Sequence, residues 1–170
     1  MVFGKSGIMP VFLCLFTGIA VPAPVFAYTV SFIVIEAGPV QDGAATGAAN
    51  LWENGLMDVF FNAGHIVSNA HALRIDRAIF KDFPDEMQAD FDEARQGGVD
   101  FFVTALLDYG AGEAPVSPGT SVGPRQVLLK VFRVEPYQKV YEQGYSGPIG
   151  DELTKAKSAA RSILPHLRDR

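Results

Sequence analysis

Three residues combine reactive side chains with positions at which proteins often do chemistry: His65, His71 and Asp108. Asp108 ends the apolar run VDFFVTALLD, and the carboxyl end of a buried strand is where α/β proteins tend to bind ligands. The histidines are six positions apart, so an unbroken strand would present both on one face. A carboxylate and an imidazole can transfer protons in hydrolysis. One hypothesis is therefore a small hydrolase that uses Asp108 with His65 or His71; the alternative is an aspartate that caps the turn after its strand.

No catalytic motif of a known enzyme class accompanies these residues. The sequence lacks the P-loop, G-x-G-x-x-G and H-E-x-x-H. The letters G-T-S-V-G at 119–123 match G-x-S-x-G, but they end a Gly-, Pro- and Ser-rich loop and lead into a predicted strand, whereas that motif needs a turn from a strand into a helix. A zinc site takes at least three protein ligands, and no third ligand stands at a suitable spacing from the two histidines. The acidic residues between positions 85 and 93 repeat at helical spacing, which indicates a solvated helix face. We therefore expect no metal, no cofactor and no catalytic residue, and a protein that acts by binding.

Tyrosines at every fourth position mark a candidate partner surface. Tyr137, Tyr141 and Tyr145 fall on one face of a predicted strand, and the opposite face is too polar for a core. We expect the tyrosines to face inward beneath the C-terminal helix, with the row running out to the rim. Tyrosine offers a large contact area with a polar tip and is enriched in interfaces. These tyrosines, with Asp108 and Glu113, form the predicted partner surface; the alternative is that the tyrosines only pack.

The composition limits the classes of function. The chain has 170 residues, of which 48% are hydrophobic, and a formal net charge of −5. These values fit one globular domain and exclude disorder over the whole chain. The excess of acidic over basic residues argues against a nucleic-acid-binding protein, which normally has a basic surface. The single cysteine, Cys14, excludes a disulfide framework and a cysteine-based zinc site.

The first 27 residues have the pattern of a signal peptide. Lys5 is their only charged residue, and an apolar run follows over 8–21. The motif V-F-A at 25–27 resembles the small-residue cleavage site of signal peptides. The run is shorter than the ~20 residues of a spanning helix and is bracketed by prolines; an uncleaved anchor is the rival interpretation. We expect cleavage before Tyr28, a single domain over 28–170, and a periplasmic or secreted protein without stable membrane insertion after cleavage.

The pattern of predicted strands and helices indicates an α+β fold, in which helices pack on a mixed sheet. The order of the elements along the chain is β-α-β-α-β-β-β-α. Strand-helix-strand connections favour parallel pairing, and the short turn before position 138 favours an antiparallel hairpin. Gly55 weakens the first helix and predicts a close helix–sheet contact there. The predicted strands cover 28–37, 65–68 with an extension toward 75, 99–109, 125–134 and 138–146, and the predicted helices cover 48–63, 83–96 and 151–167.

The same segments resemble a family of small periplasmic α/β domains. The resemblance rests on the helix LWENGLMDVFFNAG with the strand HIVSN after it, on the strand Gly98-Val99-Asp100-Phe101-Phe102-Val103, and on Lys139-Val140-Tyr141-Glu142 in the hairpin. The family comprises domains of penicillin-binding-protein activator lipoproteins, the curli-secretion lipoprotein and the Tol-system translocation protein. The resemblance covers residues 30–167. Unlike the lipoproteins of the family, this chain has no lipobox around Cys14.

The resemblance implies a non-enzymatic binding or assembly-accessory domain located in the cell envelope. With the composition, it leads us to expect another envelope protein as the partner, and no nucleic acid. Fold analogy alone does not identify that partner. Homo-oligomerisation stays open at this point.

Overall fold

The computed structural model describes residues 27–38, 47–75, 87–110, 123–146 and 151–167. The predicted α+β class is confirmed, because a mixed sheet in these residues carries helices on both faces. The strands are β1 (Thr29–Ala37), β2 (Ile66–Asn69), β3 (Leu73–Ile75), β4 (Phe101–Asp108), β5 (Gln126–Arg133) and β6 (Gln138–Ser146). The helices are α1 (Gly47–Asn62), α2 (Gln88–Gln96) and α3 (Glu152–Ile163), and a 3-10 turn over Leu164–Leu167 continues α3.

The sheet has the order β2-β1-β4-β5-β6, and β3 also pairs with β1. Strand β1 is parallel to β2, β3 and β4, whereas β4, β5 and β6 pair antiparallel. The predicted parallel connections and the final hairpin are therefore confirmed. The strand expected from position 65 toward 75 is divided into β2 and β3, because residues 69–72 (NAHA) include weak strand formers that interrupt the pairing.

The helices divide the core into two parts. Helices α1 and α3 cover one side of the sheet, here called the first face, and α2 covers the other, the second face. Alternate residues of β1 serve the two parts: Phe32 and Val34 belong to the first face, and Ile33 and Ile35 to the second. All four are 1% exposed or less. This burial on both sides explains why β1 reads as one apolar run.

Gly55 lies where α1 meets α3. A Cβ atom on Gly55 would lie 2.5 Å from the Cβ atom of Ala156, so the helices approach more closely than a side chain permits. We expected Gly55 to lie close to the sheet, and this was wrong: its close neighbour is helix α3. An ion pair of 2.8 Å between Lys157 and Asp58 joins the same two helices.

Helix α3 begins at a side-chain cap. Asp151 Oδ1 accepts a hydrogen bond of 3.0 Å from the backbone N–H of Thr154, and this bond lowers the pKa of Asp151. The predicted helix over 151–167 is thereby confirmed at its start. Residues 83–86, the predicted start of the second helix, lie outside the described residues.

Candidate functional site

A buried carboxylate lies at the carboxyl end of the parallel strands. Glu36 is 1% exposed and is the last residue but one of β1. Its Oε2 atom accepts a hydrogen bond from Arg74 Nε at 3.1 Å, and its Oε1 atom accepts one from the Tyr109 hydroxyl at 3.0 Å. Because Arg74 lies on β3 and Tyr109 follows β4, Glu36 ties three neighbouring segments together. The arginine supplies the opposite charge that a buried carboxylate needs.

Two further titratable groups are electrostatically linked to this carboxylate. Burial raises the pKa of Glu53, on α1; the charge of Glu36 raises it further, and His71 opposes the rise. Glu36, Glu53, His71, Arg74 and Tyr109 are called the carboxyl-end cluster below. Within the described ranges, no group of three or more His, Cys, Asp or Glu residues is arranged to hold a metal ion.

Sequence reasoning missed this cluster. The available signal was Glu36 itself, the single acid in the apolar segment YTVSFIVIEA. A charged side chain in a strand that is buried on both faces needs a partner, and a search for that partner could have selected Arg74. The pairing itself depends on the register of β1 with β3, which places Glu36 opposite Arg74.

Asp108 organises the turn after β4. Its Oδ1 atom accepts a hydrogen bond of 2.7 Å from the backbone N–H of Gly110, and its backbone carbonyl accepts one of 2.8 Å from Arg125. Strand alternation puts Asp108 on the same face as Leu106, the second face. It therefore lies across the sheet from Glu36, which follows Phe32 and Val34 on the first face. The contacts of Asp108 are those of a turn-capping aspartate.

The two histidines lie at different ends of β2, and neither is positioned to act with Asp108. His65 is at the amino end of β1, where its Nδ1 atom accepts a hydrogen bond of 3.2 Å from the backbone N–H of Tyr28. Asp108 pairs with Ala37 at the other end of β1, and nine residue steps of ~3.3 Å separate the two ends by about 30 Å. His71 is exposed, lies between β2 and β3, and interacts electrostatically with Glu53 on the first face. The structure therefore brings neither histidine to Asp108.

Two of the three tyrosines lie beneath α3 as predicted. The hydroxyl oxygens of Tyr141 and Tyr145 are 2.8 Å and 3.3 Å from Ser162 Oγ, and both rings pack against the first-face core. Burial raises the pKa of Tyr145. The Tyr141 ring also lies 4.6 Å from the ring of His166, centroid to centroid. Tyr141, Tyr145 and Ser162 are called the tyrosine ledge below.

Tyr137 lies on the opposite side of the sheet, and its expected position was wrong. Its ring stacks on Phe132 at 5.7 Å and meets Phe91 of α2 edge-on at 5.6 Å. The cause is a β-bulge: Val131 pairs with Tyr141 but the next residue pairs with Lys139, so Val140 is the extra residue. A bulge shifts the phase of side-chain alternation, so the even spacing from Tyr137 to Tyr141 does not put them on one face. Tyr137 is 60% exposed.

Strand β6 is the last strand of the described sheet on the side of the tyrosine ledge. It pairs with β5 on one side, and no described strand pairs with its other side. Gln143 accepts a hydrogen bond from the Tyr141 hydroxyl, and Lys139 forms an ion pair with Glu142. Glu113, the remaining residue of the predicted partner surface, lies outside the described residues.

A pocket of about 240 Å³ opens at the amino end of β1 and β4. Tyr28, Phe101 and Pro136 supply apolar walls, and Asp100, Arg133 and Glu135 supply charges. The Arg133 guanidinium lies 6.0 Å from the centre of the Phe101 ring. No helix in the described part of the chain is both long and apolar enough to cross a membrane.

No family model and no curated protein matches the chain. Solved structures similar to it include TolB from Acinetobacter baumannii, with 13% identity and a TM-score of 0.47; the alignment covers 86% of this chain and 29% of TolB. A PelC dodecamer from Paraburkholderia phytofirmans has 13% identity and a TM-score of 0.44, covering 84% and 90% of the two chains. The hypothetical protein CT253 from Chlamydia trachomatis has 10% identity and a TM-score of 0.46, covering 84% and 99%.

Proposed function

We propose that this chain is an exported, non-enzymatic binding domain of the cell envelope that captures a partner protein at the β6 edge of its sheet. The observation that carries the proposal is the combination of an outermost strand with the tyrosine ledge beside it. The outer N–H and C=O groups of such a strand can add an extended segment of another protein. Tyrosine side chains next to that edge offer contact area at a low entropic cost.

The β6 edge is better suited to a specific partner than to indiscriminate pairing. Natural proteins protect sheet edges with bulges and lysines, and β6 has both, at Val140 and Lys139. This protection covers its first residues, whereas residues 141–146 continue with one charged side chain, Glu142. We therefore assign the partner contact to 141–146. Asp108 and Tyr137 lie elsewhere on the molecule and are not included.

Export is supported by the chain's own N-terminal pattern. Tyr28 is preceded by a single lysine, an apolar run and a small-residue cleavage motif. The described sheet begins at Thr29. The proposed location is the periplasm or the extracellular space. The hydrolase alternative loses support, because a proton-transfer pair must lie within hydrogen-bond reach. His65 lies at the opposite end of β1 from Asp108, and His71 interacts with Glu53 on the opposite face of the sheet.

Site-specific photo-crosslinking tests the proposed edge. A benzophenone amino acid replaces Gln143 on β6 or, as a matched control, Ser68 on β2, since both are exposed residues of outermost strands. We expect irradiation of cells to give one discrete adduct from position 143 and none of that mass from position 68. Identical adducts from both positions, or none from 143 in a correctly folded protein, would contradict the proposal. An adduct with a second copy of this chain would show that the β6 edge binds another copy of the chain and not a different protein.

A further inference from the structure

We infer that the bond between Ala27 and Tyr28 is cleaved only while the chain is unfolded, and that folding then closes this cleavage site. The inference rests on the proposed export. It goes further by fixing the order of two events, proteolytic processing first and formation of the sheet second.

Tyr28 is held by the folded domain on several sides. It is 5% exposed. Its backbone N–H donates to His65 Nδ1 at 3.2 Å, and its carbonyl accepts from the N–H of Ile66 at 2.9 Å. Its ring meets that of Phe101 edge-on at 5.3 Å. The residue on the carboxyl side of the scissile bond is therefore part of the first-face core.

The two residues that follow are also fixed. The Thr29 N–H donates to Asp100 Oδ2 at 2.9 Å, and the Thr29 carbonyl accepts from the Asp100 N–H at 2.9 Å. Val30 is completely buried and pairs with Val67 on one side and Phe101 on the other. Only Ala27, on the other side of the scissile bond, is exposed.

A protease that takes its substrate as an added extended strand needs free backbone N–H and C=O groups beside the scissile bond. In the folded domain, the backbone groups of residues 28–30 are already bonded to the side chains of His65 and Asp100 or to neighbouring backbone. Central strands open only with much of the structure, and a stability of ~5 kcal/mol leaves fewer than about one molecule in 10³ open. When opening is fast relative to cleavage, the cleavage rate follows that open fraction. The folded precursor should therefore resist the protease.

The chemical step is hydrolysis and needs only water as co-reactant. The Ala27–Tyr28 amide bond breaks, Ala27 gains a carboxylate, and the nitrogen of Tyr28 becomes an ammonium group. That nitrogen still carries a proton to donate to His65 Nδ1, so the contact at the start of β1 survives processing. A chain that folds before it meets the protease keeps its apolar N-terminal segment.

The experiment compares two full-length precursors. One has the natural sequence and is folded; the other carries Leu107→Asp, which puts a charge at a fully buried position and unfolds the domain. Leu107 pairs with Glu36, at the opposite end of β1 from the cleavage site. Both are incubated with bacterial signal peptidase in detergent micelles, and intact mass follows the product over time. We expect the unfolded variant to be cut before Tyr28 at least ~100-fold faster than the folded chain.

Each other outcome overturns the inference. Equal rates would show that folding does not protect the bond, and the proposed export would stand. No cleavage of the unfolded variant would remove the inference together with the proposed export. A third precursor, with an eight-residue Gly-Ser spacer between Ala27 and Tyr28, separates burial from other causes. Folded, it should be cut about as fast as the unfolded variant, and resistance would show that burial of Tyr28 is not the cause.

Discussion

The indole N–H of Trp52 donates a hydrogen bond of 2.6 Å to the carboxylate of Glu152, although the residues are 100 positions apart in the chain. Trp52 is completely buried, and Glu152, the first residue of α3, is 9% exposed. The second carboxylate oxygen, Oε1, accepts no hydrogen bond within the described residues. Burial raises the pKa of Glu152 in spite of the bond from Trp52. The hydrogen bond thus attaches the start of α3 to α1. The buried surroundings of the Glu152 carboxylate disfavour its charged form.

We expect Glu152→Gln to gain free energy of unfolding relative to the natural protein as the pH rises from about 4 to 7. A raised pKa in the folded state means that the folded protein binds the proton more tightly than the unfolded chain does. The contribution of Glu152 is therefore fully present below the unfolded pKa, about 4.3, and is lost as the pH rises through the folded pKa. Urea denaturation at several pH values measures the difference.

Asp151→Asn is the matched control at the same helix end. The pKa of Asp151 is lowered by the hydrogen bonds from Thr154. Its contribution is present above the unfolded pKa, about 3.9, and is lost as the pH falls through the folded pKa. Its pH dependence should therefore have the opposite sign and appear below about pH 4, where the denaturation series is extended. Parallel curves for the two variants would contradict the assigned directions.

Gly55→Ala should destabilise the protein by about 1–3 kcal/mol through overpacking, although alanine improves helix propensity by about 1 kcal/mol. The added Cβ atom would lie 2.5 Å from the Cβ atom of Ala156 and 3.2 Å from the backbone nitrogen of Lys157. Gly47→Ala is the control, since a Cβ atom there meets nothing within 4 Å. Thermal melting compares the two, and an unchanged Tm for Gly55→Ala would refute the close contact.

Arg74→Met should cost about 3–5 kcal/mol, because it removes the arginine that forms an ion pair with the buried carboxylate of Glu36. The Arg74 side chain is 27% exposed and that of Glu36 is 2% exposed, so solvent replaces the arginine poorly. The double variant Glu36→Gln with Arg74→Met removes both charges and should recover part of the loss. Urea denaturation tests this, and a double variant no more stable than Arg74→Met would show that the charge of Glu36 is not the cause.

Tyr141→Phe should cost about 1–2 kcal/mol, because it removes the hydroxyl that contacts Ser162 and Gln143 and retains the ring; one hydrogen bond contributes about 1 kcal/mol net. Tyr141→Ala also removes the ring from the first-face core and should cost a few kcal/mol. Denaturation curves give both values. Equal losses for the two variants would indicate that the hydroxyl, and not ring packing, accounts for the role of Tyr141.

Local patterns were sufficient to predict most of the elements. The apolar run from 28 to 37 became β1, the helical spacing of Trp52 and Leu56 became α1, and β6 has the predicted bounds. These patterns reflect which face of each element is buried, and neighbouring residues in the chain encode that directly. The parallel direction of β1 to β4 followed from the strand-helix-strand connections, whereas the order of the strands in the sheet was not predicted.

The errors arose where the answer depends on residues distant in the chain. The bulge at Val140 is set by pairing with Val131, and it moved Tyr137 to the second face. Gly55 showed a close contact, but nothing near it in the sequence indicates that Ala156 is the neighbour. Glu36 likewise needed the register with Arg74. Alternation and helical spacing describe one element at a time and contain no information on such pairs.

The 100 positions between Trp52 and Glu152 also determine when the first-face core can close. A ribosome adds about 5–20 residues per second, so α3 appears about 5–20 s after α1 has been made, whereas a helix forms in about a microsecond. Throughout that interval the apolar side of α1 has no covering helix, which exposes the nascent chain to aggregation and to holding chaperones. A chain truncated after Ser146 should bind such chaperones persistently, and its release as a monomer would show that α3 is dispensable for closing the core.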